Sequence, residues 1–323
     1  MIEKTIDFYK ELQNKFQFSP TKKQSQLLGF LSDFIFANDK DVLFLLKGYA
    51  GTGKTTTISA FVNSLWKAGK KAVLLAPTGR AAKVISVYSK KPAFTIHKKI
   101  YFPKKQANGS VEFMLQTNKH TNTIFIVDEA SMIPDSRQNQ KLFESGSLLD
   151  DLISYVYSGK GCKLIFIGDT AQLPPVKLDV SPALEKTTLT YDYHKNVTEI
   201  ELDEVMRQHE NSGILANATL LRLMIQNDAV NFKFDIDFPD IIRLIDGYDI
   251  EDALVAAYDN DGVEDTAFIV RSNKRANQYN QQIRMKIRGQ ENEISAGDYV
   301  MVVKNNYFWL KESSSAGFIA NGD

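Results

Sequence analysis

The feature that most restricts this 323-residue chain is the run Gly48-Tyr49-Ala50-Gly51-Thr52-Gly53-Lys54-Thr55. It follows the apolar stretch Val42–Lys47 directly and opens a helix-compatible segment at Thr56. Glycines at these positions let successive backbone amides turn inward around an anion, and a lysine then a hydroxyl residue follow where the helix begins. In this phosphate-loop pattern Lys54 reaches the terminal phosphates, Thr55 can hold Mg²⁺, and the helix N-terminus adds partial positive charge. Residues 48–56 are therefore expected to bind a nucleotide. A loop of this kind works only between a parallel strand and its crossover helix, so it commits the chain to an α/β fold.

The surrounding pattern agrees. Val42–Lys47, Lys71–Ala76, Thr123–Asp128 and Lys163–Gly168 are short runs rich in Val, Ile, Leu and Phe. Each is followed by turn residues and a helical stretch, the sequence form of βαβ units around a parallel sheet. The segment from about 99 to 121 interrupts this rhythm, and its Asn108-Gly109 pair between short arms predicts a hairpin excursion. A second α/β stretch is expected from about Glu201, with a helix over Gly213–Gln226, a strand over Thr266–Arg271 and a polar helix over Asn273–Arg288. Short strands are expected at Asp298–Val303 and Tyr307–Leu310. No apolar run has the length of a membrane helix, and the start of the chain has no secretory h-region. Cys162 is the sole cysteine, so no intrachain disulfide forms, and a cytoplasmic setting is expected.

Lysine plus arginine and aspartate plus glutamate both total 39, a formal net charge of zero. The average conceals a partition. Between Val42 and Ser110 there is no acidic residue, yet that stretch holds thirteen basic ones, leaving 26 basic against 39 acidic elsewhere. Such asymmetry predicts an anion-binding surface on the N-terminal half. Tyr101, Phe102 and Phe113 lie among Lys98, Lys99, Lys104 and Lys105, an interleaving that suits base stacking combined with phosphate tracking.

Ile124-Phe-Ile-Val-Asp128-Glu129 is an apolar strand ending in adjacent carboxylates. Asp128 is expected to bind Mg²⁺ through water and Glu129 to orient or deprotonate the attacking water. Taken alone, this pair fits a nucleotide sensor or a metabolite kinase as well as a hydrolytic motor.

The next element narrows the choice. Gly168-Asp169-Thr-Ala-Gln172-Leu-Pro174-Pro175-Val176 resembles helicase motif III, and Ala76-Pro77-Thr78-Gly79-Arg80-Ala-Ala-Lys83 resembles motif Ia. With the phosphate loop and Asp128-Glu129, the chain resembles superfamily 1 helicases, most closely the branch containing RecD, Dda and Pif1. The resemblance implies that Gln24, in Phe18-Ser-Pro-Thr-Lys-Lys-Gln24, reads the adenine edge. It implies that Gln172 senses the γ-phosphate and that Arg207, in Glu204-Val-Met-Arg207-Gln208, reaches it across a cleft. Pro77, Thr78, Arg80 and His97 would contact the single-stranded backbone, Tyr101 and Phe102 would belong to a duplex-splitting pin, and Ser272 and Asn273 would meet the strand from a second domain.

The implied organisation is a RecA-like domain over residues 1–98 and 122–198, with the pin over 99–121. A partial second RecA-like domain would span 199–290, and an SH3-like subdomain would begin at 291–323. A downstream Thr-x-His-Lys-x-Gln-Gly segment and an arginine-finger segment are expected in the family and do not occur here. The implied activity is ATP- and Mg²⁺-dependent movement on single-stranded DNA, 5′ to 3′, with unwinding at a single-strand/duplex junction. The alternatives are a RecD-like subunit of a nuclease complex and a nucleotide-switched strand-binding module. Replication partners are also compatible, and the oligomeric state is open.

Overall fold

A computed structural model describes residues 2–16, 19–105, 111–134, 147–175, 178–204, 212–227 and 229–303. The chain divides into two units, one built on residues 1–208 and the other on residues 209–300.

The first unit is organised by apolar runs that cannot tolerate solvent on either face. β1 (Val42–Gly48), β2 (Lys71–Ala76), β3 (Ala93–Thr95), β6 (Thr123–Val127), β7 (Lys163–Gly168) and β8 (Asn196–Leu202) form one sheet in the order β3-β2-β6-β7-β1-β8. Every pairing in it is parallel. β6 and β7 are buried along their whole length, as expected where helices cover both faces. Alternation divides each run between two cores. Phe44 and Leu46 join α1 (Ile2–Lys15), α2 (Lys22–Phe36) and α3 (Lys54–Ser64), whereas Leu43 and Leu45 join α6 (Leu148–Ser158).

All four strands expected from the apolar runs are present. β3 and β8 were not anticipated: the first has three residues, and the second alternates polar with apolar residues, as an edge strand does. Because β8 pairs with β1 from Val42↔Asn196 to Gly48↔Leu202, the first sheet extends through Leu202, past the expected boundary at 198. A buried lysine joins the sheet to α2. Lys163, at the start of β7, donates to the carbonyls of Phe34 (2.6 Å), Ala37 (2.8 Å) and Ile35 (3.2 Å), closing the C-terminus of that helix.

The hairpin excursion is present as β4 (Tyr101–Lys105) antiparallel to β5 (Val111–Leu115). Its turn at 106–110, which includes Asn108-Gly109, lies outside the described residues. The hairpin leaves the sheet through α4 (Gly79–Ser89), β3 and the short α5 (Ile96–Ile100).

The second unit differs from expectation. The helix over Gly213–Gln226 is present as α8, following α7 (Lys186–Tyr191) of the first unit. α9 (Gly247–Asn260), α10 (Gly262–Asp265) and α11 (Asn273–Gln282) complete the described helices, the last running into a wider turn over Ile283–Ile287. Residues 266–271 and 298–303 are not strands. A strand exists only where its backbone groups find a ladder, and among the described residues no segment pairs with either. Ile269, Tyr299 and Val300 are consequently exposed. Tyr307–Leu310 lies outside the described residues. Polar contacts tie this unit alongside the packing of Phe268 on Tyr279: Asp240 accepts from the Gly213 amide (2.8 Å) and the Ser212 hydroxyl (2.9 Å), and Arg284 makes a two-point contact with Asp298 (2.7 and 3.2 Å).

No helix among the described residues is long and apolar enough to cross a membrane. Phe166 is fully buried at the centre of β7. Phe166→Ala is expected to lower unfolding stability by about 3–5 kcal/mol, measured by denaturant titration.

Candidate active site

The carboxyl ends of β1, β6 and β7 are neighbours in the sheet, and each carries one part of the site. β1 runs into the phosphate loop. Gly51 and Gly53 have φ of 80° and 84°, the left-handed region where a side chain is strained, and Gly53 is the N-cap of α3. No side chain caps this helix, so its first amides point into the loop. The third glycine is required for a different reason. A Cβ on Gly48 would lie 2.8 Å from the Leu202 carbonyl and 3.1 Å from Thr52 Oγ1, so β8 approaches this position as closely as backbone can.

The loop is held from below. Thr52 Oγ1 donates to Tyr49 O at 2.8 Å, and Thr57 Oγ1 to Gly53 O at 2.9 Å. Gln24 is buried and donates through Nε2 to Thr52 O at 3.0 Å, while its Oε1 accepts from the Thr21 amide at 3.0 Å. This second bond is half of a capping box, completed by Thr21 Oγ1 accepting from the Gln24 amide. The Gln24 side chain is thus part of the loop's scaffold, engaged at both polar ends within the chain. Its place here supports the fold of the loop and not, in this conformation, an open hydrogen-bonding edge for a base.

Lys54 bends back over the loop, donating to Tyr49 O at 2.8 Å and also to Gly48 O. It lines a small recess with Thr55 and Asp128. Tyr49 is buried, whereas Ala50, Gly51, Thr55 and Thr56 are exposed. Thr55 Oγ and the Asp128 carboxylate are hard oxygen donors beside one recess, a donor set that fits Mg²⁺ with the remaining positions left to water and phosphate. Among the described residues no cluster of three or more His, Cys, Asp or Glu side chains could hold a metal independently.

Burial raises the Asp128 carboxyl pKa, opposed by its bond from the Glu129 amide (3.0 Å) and by the Lys54 charge. Glu129 is raised as well, first by burial and then by the charge of Asp128. Its backbone has φ 55°, a left-handed conformation unusual for glutamate. That turn ends β6 abruptly and opens a short 3₁₀ turn, Ala130–Met132. Gln172 comes from the loop after β7 and lies beside the Glu129 side chain, where its polar end opposes the rise in the Glu129 pKa. Motif III therefore adjoins the expected general base.

Two contributors were not assigned a role from sequence. Asp169 ends β7 as Asp128 follows β6. It is buried, accepts from the Ala171 amide at 2.9 Å, and its charge helps raise Glu129. Its position at the end of an apolar strand was a visible signal. Ser181 Oγ reaches the carbonyls of Ala130 (2.9 Å) and Ile133 (2.7 Å), fastening the turn after Glu129, and no local pattern announces it. Arg207 lies outside the described residues, as do Phe18 and Val176.

The expected strand-binding residues separate into two groups. Pro77 is half-buried, Thr78 caps α4 by accepting from the Ala81 amide (3.2 Å), and Arg80 is exposed on its first turn. A groove beside them is lined by Lys83, Val87, Phe94, Thr95 and Lys98, with the Lys99 ammonium 5.3 Å from the Phe94 ring. Phe102 is 40% exposed on β4. Tyr101, by contrast, is 4% exposed, and Phe113 is buried beside it in the core. Neither ring is open to stack on a base, which corrects the expectation for both: alternation along the hairpin turns them inward while Phe102 faces out. His97 packs 5.8 Å from the Tyr101 ring, and burial pushes its pKa down to about 4. It is neutral near pH 7, so it can offer a strand a hydrogen bond but no charge. In the second unit, Ser272 caps α11 by accepting from the Arg275 amide (3.3 Å), with Asn273 exposed next to it.

Two outcomes follow from this geometry. A Glu129 whose folded pKa is raised binds more protons folded than unfolded between the two values, so the contribution it makes to stability at low pH is lost as pH rises through the folded value. Glu129→Gln is therefore expected to raise the melting temperature at pH 7 in nucleotide-free buffer while lowering hydrolysis by about 10³-fold. Gly48→Ala is expected to push β8 away from the loop, lowering stability by about 1–3 kcal/mol and weakening nucleotide binding, read by calorimetry.

The AAA_30 family model, described as an AAA domain, matches residues 35–233. Among curated relatives, the ATP-dependent DNA helicase dda of Enterobacteria phage T4 is 31% identical over 208 residues, covering 64% of this chain and 40% of its own. The ATP-dependent RecD2 DNA helicase of Deinococcus radiodurans is 32% identical over 135 residues, covering 42% and 16%. The chain spans less than two thirds of the length of the curated relatives it matches. A solved structure, the Pif1 helicase from Bacteroides in complex with ADP-AlF3 and ssDNA, aligns at 17% identity with a TM-score of 0.43, covering 86% of this chain and 59% of its own. With its phosphate loop, carboxylate pair and motif III converging at one end of a parallel sheet, the chain belongs to the AAA-domain family, among P-loop proteins similar to the superfamily 1B helicases of the RecD and Dda type.

Proposed function

We propose that this chain is the motor portion of an ATP-dependent DNA helicase, coupling ATP hydrolysis to movement on single-stranded DNA. One observation carries the reading. The strand order β3-β2-β6-β7-β1 sets the basic, acid-free ends of β3 and β2 beside the carboxylate ends of β6 and β7 and the phosphate loop of β1. Hydrolytic and polyanion-binding surfaces thereby share one edge of one rigid sheet.

In this reading Lys54 exchanges its loop carbonyls for terminal phosphate oxygens, and the amides of Gly51 to Thr56 cradle the phosphates. Thr55 and Asp128 hold Mg²⁺, which neutralises phosphate charge when bound. Glu129 takes a proton from the attacking water, and Gln172, beside Glu129, reports γ-phosphate occupancy to the loop it sits on. Gln24 acts through the loop it supports. Arg207 is assigned to the γ-phosphate from across the nucleotide. Pro77, Thr78, Arg80 and His97 are assigned to the strand, as are Ser272 and Asn273, and the hairpin divides the duplex with Phe102 at its exposed face. Movement is assigned the 5′ to 3′ direction. The domain assignment is a RecA-like domain that runs through β8 to Leu202, interrupted by the 99–121 hairpin, followed by a second domain.

The test is ATP hydrolysis by this chain with and without single-stranded DNA, alongside Lys54→Ala and Glu129→Gln. Lys54→Ala is expected to weaken nucleotide binding about tenfold or more, whereas Glu129→Gln keeps binding and loses turnover. Affinity for the strand is expected to fall with salt by a log–log slope of about 0.7 per phosphate contact. DNA binding that responds to nucleotide without any turnover would replace the motor with a nucleotide-switched module. Hydrolysis indifferent to DNA would reject both.

A further inference from the structure

The hairpin is not attached to the first unit only through its own backbone. Tyr101, its first residue, donates its hydroxyl proton to Asp151 Oδ2 at 2.5 Å, and the two side chains are 4% and 5% exposed. Asp151 lies on the first turn of α6. The returning strand is fastened to the other end of the same helix, because Asn118 Nδ2 donates to Tyr155 O (2.8 Å) and Val156 O (3.2 Å). The fit there is close enough that a Cβ on Gly159 would stand 2.5 Å from Asn118 Nδ2. Gln116 closes the base between them, its amide donating to Ile100 O and its Nε2 to Tyr101 O, both at 2.7 Å. Phe113 is buried in the same core as Leu149, Leu152 and Val156 of α6.

A two-stranded ribbon alone is marginal in water, and its orientation is set by whatever anchors its base. Here both strands of the ribbon are bonded at its base to the two ends of one helix, and α6 leads through Gly159–Cys162 into β7, the strand that leads to Asp169 and Gln172. We infer that Tyr101, Asp151 and Asn118 are positioning residues: they clamp the hairpin to α6 so that its exposed face, with Phe102 and Lys104, is presented to a single-strand/duplex junction as a fixed wedge moving with the catalytic sheet. The inference rests on the strand-separating role proposed for the hairpin. Asp151 contributes nothing to nucleotide chemistry. It holds the Tyr101 hydroxyl in the core.

The experiment compares the wild-type chain with Asp151→Ala, Asp151→Asn and Asn118→Ala. It measures amide hydrogen exchange across the fold and affinity for a forked DNA against a single strand of the same sequence. In Asp151→Ala the amides of β4 and β5 are expected to exchange about tenfold faster with β6 and β7 unchanged, and fork preference is expected to fall about fivefold at constant single-strand affinity. Asp151→Asn, which retains an acceptor for the tyrosine, is expected to restore both, and Asn118→Ala to reproduce the loss. Faster hairpin exchange with fork preference intact would overturn the inference, as would unchanged hairpin exchange in both alanine variants or equally faster exchange throughout the sheet. A wild-type chain that binds single strands without fork preference also overturns it. A wild-type chain with no affinity for single strands instead rejects the function proposed above, while the exchange data still decide whether the clamp exists.

Discussion

One backbone turn organises the site: the passage from β1 into α3 through two glycines at positive φ. Once the chain takes that turn, the first amides of α3 have no intrahelical partner and no side-chain cap, so they are directed at whatever anion enters the loop. The remaining contacts keep the turn in place. β8 packs on Gly48 so closely that no side chain fits, and Gln24, locked by its capping box, props the loop at Thr52. α2 therefore braces the phosphate loop by fixing the position of one carbonyl.

The chemistry beside the loop depends on crowding acids that would otherwise separate. Asp128, Glu129 and Asp169 gather at the ends of adjacent strands, and burial disfavours the charged forms of Asp128 and Glu129. The opposing charge is Lys54. A fold that places these carboxylates together accepts a less stable empty state in exchange for a site that a magnesium nucleotide complements. The left-handed backbone at Glu129 belongs to the same arrangement, since it directs the side chain toward Gln172 instead of continuing the strand.

What could be read in the sequence follows from how local each signal is. The phosphate loop, the four central strands and the adjacent carboxylates are contiguous patterns whose physics is complete within about ten residues. Edge strands are different. β8 reads Asn-Val-Thr-Glu-Ile-Glu-Leu, and only its pairing with β1 makes it part of the first sheet. Thr266–Arg271 shows the converse, a strand-like composition with no described partner and hence no strand. The roles of Tyr101 and Phe113 were misread for a related reason: an aromatic among lysines looks the same in sequence whether alternation turns it inward or outward. Asp151, fifty residues away, decides the matter for Tyr101.

Charge partition is the feature that sheet order explains best. A net charge of zero is the sum of an acid-free basic stretch and an acidic remainder. Residues 42–110 contribute β1, β2 and β3, whereas the strands between β1 and β2 in the sheet, β6 and β7, come from beyond that stretch and lead into Asp128, Glu129 and Asp169. Crossover connections thus interleave two sequence blocks of opposite character. The acids stand at the middle of the sheet's carboxyl edge, with the phosphate loop on one side and the basic ends of β2 and β3 on the other. A chain with the same composition but a sequential strand order would hold its acids apart from both anions. Here one edge can carry a nucleotide and a polyanionic strand as neighbours, with the carboxylates between them, so a displacement at Gln172 has only β6 to cross before it reaches Thr78 and Arg80.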